Sequence, residues 1–228
     1  MGEIMTNPFP DPSLLIQPNI PQPLHGVNPR TILGQKAWDV TRHRVYAEHE
    51  YHCWACGVHK ADAKIKQWLE AHERYDIDYS KGRAEMIEIM ALCHCCHAFI
   101  HSARAYMMLF NDQMDSERYL TIFHHGIELL DNAGVVPHLH TYLAFSQGLC
   151  SIIDDGKVLE DADFEWFTGS VTKIKELRSL SIKESGHVEK VDWADWRLII
   201  NGVEYPPIHA SYKAWKEYYS GSEKKGKS

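Results

Sequence analysis

Hydrophobic positions recur at helical spacing in some stretches of the chain and bunch into short β-prone runs in others. From Thr31 to about Glu50, the spacing of Leu33, Ala37, Val40 and Ala47, broken only by Gly34, predicts a helix anchored by Trp38. Lys66 to Tyr75 and Ala84 to Leu92 are rich in large side chains and read as paired strands, with Ser80-Lys81-Gly82 as their turn. Cys96 to Phe110 then reads as one helix burying Phe99, Ala103, Tyr106, Met107 and Phe110. Helical patterns continue through Ser116 to Asp131 and through His138 to Cys150, where Cys150 falls in the expected core. The acidic run Asp154, Asp155, Glu160, Asp161, Asp163 and Glu165 reads as a solvated loop or helix face. Within Trp193 to Tyr205, Asn201-Gly202 between two β-prone runs predicts a tight hairpin.

The ends look different. Pro8, Pro10, Pro12, Pro18, Pro21, Pro23 and Pro29 make residues 1–30 an extended arm, since each proline fixes φ and removes a backbone donor. Its apolar residues Phe9, Leu14, Leu15, Ile16 and Ile20 are suited either to a surface-hugging tail or to a groove on this chain or a second copy. Residues 221–228 are short and lysine-rich, as a disordered tail is.

Composition narrows the possibilities. With 31 acidic against 24 basic residues the formal charge is −7, which excludes a protein that grips nucleic acid by broad electrostatic attraction. Any DNA contact must be local. No run approaches the roughly 18 apolar residues of a membrane span, so no membrane partner is expected. The N-terminal stretch lacks the basic and apolar regions of a signal peptide, which points to a reducing, cytoplasmic setting rather than a disulfide framework.

The chemistry is concentrated between residues 53 and 101. Cys53-x2-Cys56 and Cys93-x2-Cys96 are two close thiol pairs of the kind a tetrahedral structural Zn2+ takes up. Cys95 fits a shared ion less well because it is only one residue from Cys96. Between the pairs lies Leu69-Glu70-Ala71-His72-Glu73, and after them His97-x3-His101, whose spacing puts both imidazoles on one helical face, able to share a second ion or a substrate phosphate. A deaminase would need His-x-Glu followed by Pro-Cys-x2-Cys, and a two-Cys, two-His finger would need a helix between Cys96 and His97; the chain has neither. His124-His125 and His138-x-His140 stand apart from any cysteine or carboxylate framework in the sequence and read as ordinary polar residues.

Taken together, Cys53-Trp54-Ala55-Cys56-Gly57, Leu69-Glu70-Ala71-His72-Glu73 and Leu92-Cys93-His94-Cys95-Cys96-His97-Ala98-Phe99-Ile100-His101 resemble the HNH endonucleases, the ββα-metal nucleases, in the subset stapled by four cysteines. The resemblance covers about residues 35 to 110. It implies a hairpin and helix pinned by Zn2+ at Cys53, Cys56, Cys93 and Cys96, with His72, His97 and His101 as ligands of a second divalent cation (Mg2+, Mn2+, Ni2+ or Zn2+). The proton acceptor it implies is Glu73 in one register and His72 in another. Two positions depart from the family: Glu73 stands where the base histidine does, and Glu88 where the middle asparagine does.

The expected fold is α+β: a proline-rich arm (1–30), a zinc-stapled ββα-metal domain (31–110), a helical extension (111–190), a terminal hairpin segment (191–220) and a tail (221–228). The expected function is metal-dependent hydrolysis of DNA phosphodiester bonds, with DNA and a protein as the candidate partners. The alternative is a catalytically silent HNH-derived zinc module that binds protein or nucleic acid.

Overall fold

The computed structural model describes residues 9–156, 159–184 and 191–223. Among them the chain forms, in order, α1 (Pro29–Leu33), α2 (Gln35–Glu48), β1 (Leu69–Asp78), β2 (Arg83–Cys93), α3 (His94–Ile100), α4 (Ser102–Phe110), α5 (Ser116–Asn132), α6 (Leu139–Asp154), α7 (Asp161–Glu184), β3 (Arg197–Ile200), β4 (Val203–Tyr205) and α8 (Tyr212–Glu223). This is a mixed α+β fold. No helix among the described residues is long and apolar enough to cross a membrane.

Two compact units share the chain, and neither is one stretch of it. The described residues of 1–17, 45–72 and 90–186 make the first, and those of 18–44, 73–89 and 187–228 the second. The units therefore cut across the consecutive segments expected from the sequence.

In the first unit the proline-rich segment folds as a short 3-10 turn, Pro12–Leu15, capped by the Asp11 carboxylate, which accepts from the Ser13 amide. Leu14 and Leu15 are buried in this turn, which packs on α3 and α5. This part of the expected arm is thus core, because two leucines recover more by leaving water than the prolines forgo in backbone hydrogen bonds. The helical body is held by Phe99, Tyr119, Phe123 and Phe145, all buried; the Phe99 and Phe145 rings stack 4.9 Å apart and the Tyr119 hydroxyl donates to the Ala144 carbonyl.

The expected helix over 96–110 is two helices, because His101 (φ −87°, ψ 42°) ends α3 and precedes α4. That break shifts the buried face: Ser102, Ala105 and Leu109 are buried, while Ala103, Met107 and Phe110 are exposed. Cys150 is exposed as well, not core, since α6 turns Leu149 and Ile152 inward instead. Within the acidic run, Asp163 is buried and bonded to His124 Nε2 at 2.6 Å, so it is not part of a solvated face.

In the second unit Leu24, Val27, Ala84, Trp196, Leu198 and Ile200 form a separate apolar core. The Asn201-Gly202 turn joins β3 to β4 with both residues at positive φ (51° and 78°), as a two-residue hairpin turn requires, and Ile200 faces Val203 across it. This hairpin does not stand alone. β3 runs parallel to β2, with Arg83 beside Arg197 and Glu85 beside Ile199, to give the sheet order β1-β2-β3-β4. α8 extends through Glu223, so residues 221–223 of the expected tail are helical, and 224–228 lie outside the described residues, as do 1–8 of the arm.

Candidate metal centre

The first thiol pair sits in a tight turn in which the Cys53 amide bonds the Val58 carbonyl and the Gly57 amide bonds the Cys53 carbonyl. The Trp54 amide donates to the Ala91 carbonyl at 2.9 Å, which sets this turn beside the end of β2. Cys93 closes β2 and Cys96 lies in the first turn of α3, three residues on and therefore on the same side. The four thiols converge, their sulfurs within 4.8 Å of one another. Cys53, Cys93 and Cys96 are buried and Cys56 is partly exposed.

None of the four is in a disulfide, and Cys56 Sγ and Cys93 Sγ are 3.8 Å apart, far beyond the bond length of about 2.05 Å. That separation suits a shared ion. Sulfurs about 2.3 Å from a tetrahedral zinc stand about 3.8 Å from each other. Four sulfurs so placed are a donor set that could hold a cation such as zinc. Cys95 is buried outside the group, its thiol pushed up to about 12 by burial.

A second convergence lies beside α3. One nitrogen each from His72, His97 and His101 falls within 4.8 Å of the other two, and the ring centroids are 5.4 Å (His72 to His97), 5.0 Å (His72 to His101) and 4.7 Å (His97 to His101) apart. The His101 amide still bonds the His97 carbonyl at 3.2 Å, so the helix break leaves their one-turn spacing intact. His72 is buried, His97 half-buried and His101 exposed, which leaves the cluster open on one side. Burial, then His101 and His97, hold His72 well below its ordinary pKa, so its imidazole is neutral and has a ring lone pair to offer a cation.

Glu70, two residues before His72 and on the same face of β1, forks beneath this cluster. Its Oε2 accepts from His97 Nδ1 at 2.5 Å and its Oε1 from His94 Nδ1 at 2.7 Å. Burial opposes ionisation of Glu70, yet the bonds from His94 and His97 outweigh it and hold the carboxyl well below the usual range. With Nδ1 of His97 engaged, Nε2 is the nitrogen it has to offer a ligand. Arg118 Nη2 lies 2.6 Å from His94 Nε2, which makes that nitrogen an acceptor and fixes the His94 proton on Nδ1.

Glu73 is not brought into this cluster. Successive residues of a strand point to opposite faces, so Glu73 leaves β1 on the side of Tyr75, whose phenol it pushes up in pKa behind the larger effect of burial. Glu88 pairs with Arg74 at 2.7 Å. Glu70 has no role in the sequence pattern, although its two-residue offset from His72 is a legible sign of a shared face. His125, expected to be an ordinary polar residue, lies beside the thiols. His125 Nε2 is 3.3 Å from Cys96 Sγ and 3.8 Å from Cys93 Sγ.

Comparison of the chain with protein-family models, with curated proteins and with solved structures finds no match.

Proposed function

We propose that the chain is a metal-dependent, HNH-type endonuclease that hydrolyses DNA phosphodiester bonds, with Zn2+ at the four cysteines as a structural staple and a second divalent cation at His72, His97 and His101. The observation that carries this reading is the convergence of three imidazoles, one backed by a half-buried carboxylate, on a point with its own donor set apart from the thiols. A divalent cation bound there supplies Lewis acidity toward a phosphate oxygen and the leaving 3′ oxygen.

The chain's residues then divide the work. His97 and His101 present their nitrogens from the helix side, and Glu70 holds His97 in the tautomer that keeps Nε2 free. Because Glu73 points to the other face of β1, the proton from water falls to His72 in the register that leaves the cation to His97, His101 and an acidic residue, where His72 is base and not ligand. The exposed His101 lies on the side from which a phosphate can approach.

One observation favours the silent-module reading. Glu73 leaves β1 on the face opposite His72 and Glu88 is paired with Arg74, so the two positions that depart from the family supply neither the base histidine nor the asparagine. Supercoiled plasmid separates the two readings. The zinc-loaded protein should nick it with Mg2+, Mn2+ or Ni2+, and His72→Ala and His97→Ala should lose nicking at unchanged zinc content. Folded wild type that never cleaves would refute the nuclease. In His72→Ala, lost cleavage with retained Mn2+ binding marks His72 as proton acceptor; loss of both marks it as a ligand.

A further inference from the structure

The thiol cluster has a neighbour that the cysteine spacing does not reveal. His125 reaches it from α5, its Nε2 3.3 Å from Cys96 Sγ and 3.8 Å from Cys93 Sγ. A metal-bound thiolate carries lone pairs and no proton, so a nitrogen this close either donates a hydrogen to it or is itself a ligand. The four sulfurs already supply a tetrahedral set within 4.8 Å, and His125 approaches from the Cys93–Cys96 side of that set. Donation is therefore the geometry's answer.

The packing of α5 on α3 holds the ring there. At Gly126, the next residue, a Cβ would lie 2.0 Å from Phe99 Cδ2, so the bare backbone of α5 presses directly on the α3 core. Ile122, three residues before His125, is buried on the same stripe, and Arg118, seven before, donates to His94 from it. His125 is thus fixed by the helix as a whole.

We propose that His125 is an outer-sphere donor to the thiolate centre, its Nε2–H bonded to Cys96 and more weakly to Cys93. Four thiolates around one divalent cation carry a formal charge of −2 (four times −1, plus 2). A hydrogen bond drains charge from two of the sulfurs, which slows their protonation and the escape of the ion. The inference rests on the reading that the four thiolates hold a cation and is independent of nuclease activity.

The test compares wild type with His125→Phe, which keeps a ring but no donor, and His125→Gln, which keeps a donor. Zinc transfer to a chromogenic chelator should be about 10- to 100-fold faster for His125→Phe and partly restored in His125→Gln. The Co2+-substituted proteins should all keep the absorption of a four-sulfur site. In wild type, long-range proton–nitrogen NMR should find His125 protonated on Nε2, a readout that stands even if a variant fails to fold. Equal release rates, a three-sulfur, one-nitrogen spectrum in wild type, or an unprotonated Nε2 would each overturn the proposal. Purified wild type that holds no ion at the cysteines would remove its premise as well, and that outcome is read directly from zinc content.

Discussion

Glu70 is one carboxylate shared by two imidazoles, and this sharing decides what His97 can bind. Glu70→Gln puts an amide donor among groups that already donate, so at least one of the His94 and His97 bonds must be lost. Mn2+ affinity at the imidazole site, followed by electron paramagnetic resonance in zinc-loaded protein, should fall about 10- to 100-fold while the cysteine-bound zinc stays. His140 offers a pH signature away from both sites. Burial, then His138, hold it down to about 4, so it folds as the neutral imidazole. A depressed histidine contributes stability that is present above its unfolded value of about 6.5 and is lost as pH falls through that value toward 4. The Tm of His140→Gln should therefore drop less steeply than that of wild type between these pH values. His72, His97 and His101 are legible by spacing, whereas Glu70, His94 and Arg118 are joined by hydrogen bonds that bridge β1, α3 and α5 and leave no mark in the sequence.

At the scale of elements, close backbone approach matters more than hydrophobic count. A methyl group at Gly126 would overlap three atoms of the Phe99 ring within 2.4 Å, and α5 must move or the ring must leave its stack on Phe145. Gly126→Ala should cost about 1–3 kcal/mol in chemical denaturation. Zinc release should quicken with it, because the same shift withdraws His125 from the thiols. The strands and α5 lie close to where their sequence patterns put them, while the helix after Cys96 does not run through. There the periodicity of 96–110 continues across His101, and the break comes from packing that turns Ala105 and Leu109 inward in place of Met107 and Phe110.

For the whole molecule, two cores separate what metal loss should do. The thiol cluster lies in the first unit, and the second has its own core around Leu24, Trp196 and Leu198. Stripping zinc with a chelator should abolish hydrogen-exchange protection at residues 90–100 and leave β3 and β4 protected. Spacing along the chain picks out the four thiols and three imidazoles that converge, the tight turn at Asn201-Gly202 and the extent of α5, because each shows in the order of residues over a short stretch. Long-range packing alone sets that β3 joins β2 in one sheet, that Leu14 and Leu15 of the proline-rich segment are core, and that α5 brings Arg118 and His125 to the two clusters. Those outcomes depend on which distant surfaces pack together, and side chains 24 and 29 residues apart meet only once burial of Phe99, Tyr119 and Phe145 has chosen that packing.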